Sequence, residues 1–524
     1  MKMLGEIAGV LRYATGLPRF FRETLHVDLV ASRHYRATAF LNIAQRGIYA
    51  KPRSPYHLLL QHAGIDFGTF ERLVQQTGVE GALERMHDAG VFITLNEFKG
   101  RRPLQRGSLV LETTEADFDN PLLMSHYSAS SWGSRGTGRR LRIDLDLLTH
   151  EAAYLREFQR GFGTKERPLA VWRPVPAASA GLKILLRYAK LGGKIERWYS
   201  QTSYSDWGHA LLTRFTVFFG PGLPKPQYLP VGEAVVVARW LADKVREGTP
   251  ALLECSVSAA VRVCLAAQKA KLNISDSFFR IGGEPYTSAK AEVIAASGCR
   301  AACNYSMSEV GTIGIACPEA SERDDVHLLE DKIAAIQRDV AVGGSTVPAF
   351  VFTTLLPSCP KLMLNVESDD YGYLESRSCG CPLGNLGFHR HIRHIRSYEK
   401  LCSEGMSFVG AELLRLLEEV LPAEFGGNLA DYQLVEQEEQ SLTRVSLLVS
   451  PSVGPIDDRK IISRVLQILQ TYPGGRVMAD SWRDAGTLRL VRREPYVTGA
   501  SKVMPLHVLR HIRPKANFLG GDPP

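Results

Sequence analysis

Cys379-Gly380-Cys381, with Cys317 and His327 upstream, offers three thiolates and an imidazole. Such a set can close a tetrahedral structural Zn²⁺ shell; buried thiols without metal are the other reading. A second group of residues suits phosphate: Ser128-Ala-Ser-Ser-Trp132-Gly-Ser-Arg-Gly-Thr-Gly138-Arg-Arg140. Its glycines free the backbone to approach a ligand, and its hydroxyls and arginines can bond phosphate oxygens. The stretch lacks the closing Gly-Lys-Ser/Thr of a P-loop, and Gly/Ser-rich loops also serve as linkers. Further on, Ile281-Gly-Gly-Glu-Pro285 and Asn304-Tyr-Ser-Met-Ser-Glu-Val-Gly311 each read as the exit from a short strand. Exits from neighbouring parallel strands share one crevice, the usual ligand position in such sheets.

The elements that would position these residues follow from periodicity. Residues 1–121 are mostly helical in pattern, as at Pro55–Leu60 and Phe70–Gly90, and form a helical front to a larger domain. After a polar stretch at 125–140, helical patterns at Gly232–Glu247 and Ala251–Leu272 alternate with β-rich runs at Phe215–Phe219 and Phe278–Ile281. That alternation predicts an α/β domain with mostly parallel sheet. Pro348–Leu355, rich in apolar and β-branched residues, reads as a buried strand. Beyond Arg396 come a helix at Gly410–Leu421, strands at Tyr432–Glu436 and Val445–Ser450, a helix at Asp458–Leu469 and a strand at Thr487–Arg492, a small α+β unit. The expected division is a large domain, 1–395, and a small mobile one, 396–524. No internal repeat or low-complexity segment interrupts it.

Composition narrows the class. A chain of 524 residues, 45% hydrophobic and 23% charged, can bury a large core and suits two or three domains. The net charge of +8 arises from 63 basic against 55 acidic residues dispersed along the chain, which fits an anionic ligand such as a nucleotide without requiring one. The basic string His389–Arg396 lacks an accompanying nucleic-acid-binding motif, so nucleic acid is not an expected partner. The first thirty residues carry charge throughout and no apolar run approaches the ~20 residues of a membrane span, so a cytoplasmic protein without an integral membrane segment is expected. An amphipathic N-terminus of this kind either packs on its own domain or rests on a membrane surface. Nine cysteines, an odd number in a long chain, do not form the pattern of a disulfide framework.

Taken in order, these segments resemble the adenylate-forming superfamily, and within it the phenylacetate–CoA ligase-like branch. The Ser128–Arg140 loop resembles that family's phosphate loop, Gly282-Gly283-Glu284-Pro285 its adenine segment, and Tyr305-Ser-Met-Ser308-Glu309 its Tyr-Gly-x-Thr/Ser-Glu motif. Glu367-Ser-Asp-Asp370 resembles the segment whose aspartate holds the ribose, Arg396 the hinge arginine, and Glu404-Gly-Met-Ser407 the glycine-bearing turn of the small domain. Thr498-Gly-Ala-Ser-Lys502 resembles the late catalytic lysine loop. The matches run from about Ser125 to Lys502, most of the chain.

The resemblance implies ATP-dependent activation of a small carboxylic acid to an acyl-adenylate, then transfer to a thiol, with coenzyme A the leading acceptor. Ser131, Ser134, Arg135, Gly136 and Thr137 would hold the β- and γ-phosphates. Glu309 would help hold Mg²⁺, Tyr305 would stack near adenine, Ser308 would stand beside it, and Asp370 would accept the ribose hydroxyls. Lys502 would reach the α-phosphate and the reacting carboxylate. The substrate carboxylate is already ionised at neutral pH, so this step needs cations and dipoles rather than a general base. The branch also carries a cysteine after its Tyr-Gly-x-Ser-Glu motif, a histidine before an acidic pair and a Cys-x-Cys before the hinge. Cys317, His327, Cys379 and Cys381 match these positions, which implies structural Zn²⁺.

Departures bear on the second half-reaction. Trp132 and Arg135 stand where small residues and a Thr-Thr pair are usual; the usual lysine is missing, with Arg135, Arg139 or Arg140 as substitutes. Ser306 replaces the glycine after Tyr305, Ser397-Tyr398-Glu399 replaces the acidic hinge pair, and Glu404 occupies a commonly basic position. The acceptor is therefore open between coenzyme A, a phosphopantetheinyl carrier protein and a protein cysteine. A nucleotide-binding homologue without catalysis is a further alternative. Leu253–Ser256, with residues near Tyr204 and Trp207, would line the acyl pocket, and both an aromatic and a fatty acid are compatible with it.

Overall fold

The apolar runs at the centre of the chain become strands covered on both faces. The computed structural model describes residues 2–123, 127–130, 140–175, 180–202, 207–342, 345–397, 400–403, 406–409, 416–428, 431–439, 441–470, 475–496 and 506–508. Leu252–Ser256 and Phe278–Gly282 are buried at every position, as parallel strands between helical layers must be. Both belong to a twelve-stranded sheet. From one edge, its parallel half runs Pro226–Tyr228, Ile195–Ser200, Leu169–Trp172, Leu252–Ser256, Phe278–Gly282 and Arg300–Met307. The register lines up the carboxyl ends: Ser256 lies opposite Gly282, and Gly282 opposite Asn304.

Arg300–Met307 is the strand on which direction changes. Arg300–Asn304 pairs parallel with Phe278–Gly282, whereas Tyr305–Met307 pairs antiparallel with the strand Gly311–Ala316. The sheet then continues antiparallel through Val326–Leu328, Arg390–Ser397, Val366–Ser376, Ser345–Thr354 and Ile333–Val342. A reversal of this kind leaves a crevice at the strand ends, where ligands bind.

Local chemistry sets the helices around it. Ser256 ends its strand and caps the helix Val257–Lys269, its side chain accepting from Ala259 N at 3.2 Å. Asp144 caps Leu145–Phe162 in the same way, and Gly163, at φ 62°, ends that helix in the left-handed conformation. The helical front packs on the antiparallel half: Phe70, Val74 and Met86 of Phe67–Asp88 share a core with Ile336, Phe350 and Phe352.

Beyond Ser397, a four-stranded sheet runs Leu488–Arg492, Leu442–Val449, Tyr432–Glu439, Leu506–Val508. The helix Asp458–Leu469 buries Ile461, Val465, Leu466, Ile468 and Leu469 against it, an amphipathic spacing, and Trp482 fills the same core. The helix Gly475–Ala485 and the strand Leu506–Val508 were not anticipated from the sequence.

Two expectations fail. Phe215–Phe219 is the last part of a helix, Trp207–Phe219, which packs on the N-terminal helix Lys2–Arg22, with Tyr13 Oη 2.6 Å from Thr216 Oγ1. Tertiary packing overrides the β preference of the Thr-Val-Phe run there. Residues 252–256 form a strand rather than the start of the helix expected from Ala251. Of the helix expected at 410–421, residues 410–415 lie outside the described residues; Leu416–Val420 and Leu421–Phe425 are helical. No helix among the described residues is long and apolar enough to cross a membrane.

Candidate functional site

The crevice at the sheet reversal is lined by stretches of chain far apart in sequence, Asp324 and Val326 among them. The turn Gly283–Tyr286 leaves the Phe278–Gly282 strand, Cys303–Ser306 belong to the strand beside it, and Asp370 with Ile395–Ser397 come from the antiparallel side. Gly282 permits the close approach, because a Cβ there would stand 2.6 Å from the Asn304 carbonyl oxygen. Gly283, at φ 87°, makes the turn that follows.

Asp370 is one of three acidic residues lining this cavity, with Glu284 and Asp324. It lies in the strand Val366–Ser376, opposite Ser397. Tyr305 Oη donates to its Oδ2 at 2.6 Å, and Ser397 Oγ donates to its Oδ1. One carboxylate thus takes a hydroxyl on each oxygen. Arg396, at the same strand end, pairs with Asp324 at 3.0 Å, and Asp324 also accepts from His394 N at 3.0 Å.

Glu284 lines the cavity, but its carboxylate turns inward. It accepts from Ser258 Oγ and lies 4.0 Å from Lys290 Nζ, which donates in turn to Pro285 O at 3.2 Å. The Gly283–Tyr286 turn is thereby tied to the start of the Val257–Lys269 helix and to the next helix, Ser288–Ala296. Lys290 carries no sequence signal that singles it out; it is one lysine on a short helix.

Glu309 is not among the residues lining this cavity. Lys99 Nζ meets its Oε1 at 2.6 Å and Ser308 Oγ meets its Oε2 at 2.9 Å. Burial alone would raise its pKa, but the Lys99 charge and these hydrogen bonds outweigh it and bring the carboxyl down to about 2. Lys99 comes from the helical front, and no pattern in the sequence pairs it with Glu309.

Ser131, Ser134, Arg135, Gly136, Thr137 and Arg139 lie outside the described residues, as do Tyr204, Glu404, Gly405 and Lys502. The segment 131–139 connects Ser130 and Arg140, which face each other in an antiparallel pair. Lys502 precedes the strand Leu506–Val508.

The cysteine–histidine set is assembled. The four ligand atoms of Cys317, His327, Cys379 and Cys381 all lie within 4.8 Å of one another. His327 Nε2 stands 3.0 Å from Cys381 Sγ and 3.5 Å from Cys379 Sγ, and Cys317 Sγ 3.8 Å from Cys379 Sγ. His327 Nδ1 is 2.8 Å from the Phe388 carbonyl, so Nδ1 carries the proton and Nε2 presents its lone pair to the sulfurs. His391 packs against His327 at 4.1 Å between centroids and is held by Asp325 at 2.7 Å. Hydrogen bonds from Cys317 and His327 hold the Cys381 thiol well below the usual thiol range despite its burial.

Comparison with solved structures places this architecture. The chain has the fold of the adenylate-forming enzymes. It is similar to 2-hydroxyisobutyryl-CoA ligase in complex with 2-HIB-AMP and CoA, with a TM-score of 0.53 at 14% identity over 91% of this chain and 89% of that one. An amide bond synthetase, McbA from Marinactinospora thermotolerans, matches with a TM-score of 0.41 at 13% identity over 89% and 98% of the two chains. No family profile and no curated protein matches the sequence.

Proposed function

We propose that this protein activates a carboxylic acid by joining it to AMP at the expense of ATP. The observation that carries the reading is Asp370, which takes one hydroxyl on each carboxylate oxygen inside the crevice at the sheet reversal. Tyr305 and Ser397 occupy the places that the two hydroxyls of a ribose would take. The Gly283–Pro285 turn and the Tyr305 ring flank that point and form walls for a base. The shared fold supports the same reading.

Attack of an ionised carboxylate on the α-phosphate brings two anions together, so positioning and charge compensation carry the rate. Lys502 is assigned to the α-phosphate and the reacting carboxylate, and 131–139 to the β- and γ-phosphates. Glu309 is assigned as one carboxylate that would hold Mg²⁺, which when bound would balance the charge of the nucleotide phosphates. Residues 396–524 are assigned as the mobile unit, and coenzyme A as the acceptor; a carrier-protein phosphopantetheine is the alternative. The likeness to a ligase whose structure holds both an acyl-AMP and CoA favours the former.

Cys317, His327, Cys379 and Cys381 fit Zn²⁺: three sulfurs and one imidazole nitrogen converge, and the Phe388 carbonyl fixes the tautomer the metal requires. Bound there, Zn²⁺ would be structural, fastening the Cys379–Cys381 turn to the strand Val326–Leu328.

Acid-dependent pyrophosphate release from ATP, scanned over aryl and aliphatic acids with and without CoA, tests the reading. Lys502→Ala should lower the rate by about 10²–10³-fold, the typical cost of one preorganised donor. Nucleotide binding without release for any acid would sink adenylation. AMP formation indifferent to CoA would favour the carrier-protein acceptor.

A further inference from the structure

Two consecutive acids precede the strand Val326–Leu328, and they serve different places. Asp325 Oδ1 lies 2.7 Å from His391 Nδ1, and His391 packs on His327 of the cysteine–histidine set. Asp324 lines the crevice instead. It is buried and spends both carboxylate oxygens on the strand Arg390–Ser397: Oδ1 accepts from His394 N at 3.0 Å and Oδ2 from Arg396 Nη1 at 3.0 Å. His394 has φ 55°, in the left-handed region, and the pairing with Val366–Ser376 shifts register over the same stretch, between Tyr371–Arg396 and Tyr373–Arg393. A non-glycine residue in that region is costly and persists where its surroundings fix it, commonly at ligand sites. The Asp324 carboxylate is part of what fixes this one.

Arg396 follows two residues after this turn. Among the described residues lining the crevice it is the one cation, against the acids Glu284, Asp324 and Asp370. Its Nη1 takes both Asp324 and the Ile395 carbonyl, the latter at 2.7 Å, while Nε and Nη2 have no partner among the described residues. The side chain is 35% exposed and lines the cavity, so a ligand there can reach it. An unrestrained arginine surrenders much rotamer entropy when it grips a ligand, and fixing it beforehand removes that cost. Held through Nη1, Arg396 still offers two N–H groups on one edge, Nε and Nη2, the paired geometry in which a guanidinium binds phosphate.

We propose that Asp324 is a positioning residue for nucleotide binding. It fixes the Arg396 guanidinium in the crevice, where Nε and Nη2 take oxygens of a nucleotide phosphate, and it acts through Arg396 rather than on the nucleotide. The assignment rests on the nucleotide-binding part of the reading above and adds a residue to which that reading gives no role.

Calorimetric titration of the full-length chain with ATP and with adenosine tests it. Asp324→Ala should weaken ATP about 10-fold, the size of one charge-assisted hydrogen bond, and leave adenosine within about 2-fold. Asp324→Asn keeps an acceptor for His394 N but loses the charge that holds Arg396. It should also weaken ATP selectively, and it decides the matter if the alanine variant fails to fold. In an Arg396→Met background, Asp324→Ala should cost ATP binding nothing further. Three results would each overturn the assignment: equal weakening of ATP and adenosine, tighter ATP binding in the Asp324 variants, or a full additive loss in the double variant. The first would make Asp324 a structural part of the wall, the second a competitor for Arg396, and the third a residue that acts without Arg396. An intact chain that binds neither ligand would remove the nucleotide crevice and the assignment with it. A selective loss that depends on Arg396, without pyrophosphate release for any acid, would leave the assignment standing and remove adenylation instead.

Discussion

Lys290 Nζ donates to Thr443 Oγ1 at 2.9 Å, joining the helix after the Gly283–Pro285 turn to the hairpin of the C-terminal unit. The same ammonium holds Pro285 O and faces Glu284, so one buried cation touches both the crevice wall and the unit beyond Ser397. Thr287 Oγ1 adds a second link, 2.6 Å from Glu438 Oε2. The C-terminal unit is thereby hydrogen-bonded to the helix that follows the crevice wall.

Breaking this contact from its two ends should differ in cost. Thr443→Val removes one hydrogen bond and should destabilise by about 1 kcal/mol. Lys290→Met strands the buried Glu284 carboxylate and should cost about 3–5 kcal/mol. Denaturant melts of both variants and of the double variant measure the two costs and their coupling. Equal effects from the two single changes would show that Lys290 does no more than hold Thr443.

The Asp370 reading gives a test that needs no turnover. If its oxygens take the ribose hydroxyls, 2′-deoxy and 3′-deoxy ATP should each bind the intact protein more weakly than ATP. Asp370→Ala should weaken ATP binding by roughly 10–100-fold, the cost of losing hydrogen bonds to a charged acceptor, and should erase the discrimination. Tyr305→Phe should bind ATP no more weakly through this contact, because the tyrosine hydroxyl competes for the same oxygen. Calorimetric titration reads all of these; a deoxynucleotide preference that survives Asp370→Ala would place the ribose elsewhere.

Much of this site was legible in the sequence for a physical reason. Phe278–Ile281 followed by two glycines reads as a strand leaving into a turn, and cysteine and histidine side chains are scarce enough that their spacing carries information. What stayed hidden depends on contacts across the fold. Lys99 reaches Glu309 across 210 positions, and Lys290 meets Thr443 across 153. The Phe215–Phe219 run looked like a strand because local composition does not reveal which face of it the helix Lys2–Arg22 will cover.

The metal assignment predicts close to one Zn per chain in protein never exposed to chelator, with ligand atoms drawn from Cys317, His327, Cys379 and Cys381. Removal with a strong chelator should lower the melting temperature, and readdition of Zn²⁺ should restore it, since binding to a site that forms only in the folded chain adds to stability. Cys381→Ser should abolish both the metal content and the chelator response. Full folding stability with far less than one equivalent of Zn would reduce the set to packed thiols.

A buried triad under the sheet sets a limit on acid stability. Glu151 accepts from Lys332 Nζ at 2.6 Å, Arg187 Nη1 at 3.0 Å and Thr312 N at 2.8 Å, and is almost fully enclosed. Burial alone would raise its pKa, but Lys332 and Arg187 outweigh burial and bring it down to about 2, from 4.5 in the free side chain. A carboxyl depressed on folding stabilises the native state fully above its unfolded pKa and loses that contribution as pH falls through the folded one. Stability should therefore decline between about pH 4.5 and pH 2. Glu151→Gln should cost about 3–5 kcal/mol at neutral pH, because two buried cations lose their anion. It should also flatten the acid limb of a stability–pH curve from urea melts. An acid limb of the same steepness in the variant would mean that other carboxylates, Glu309 among them, carry the acid sensitivity.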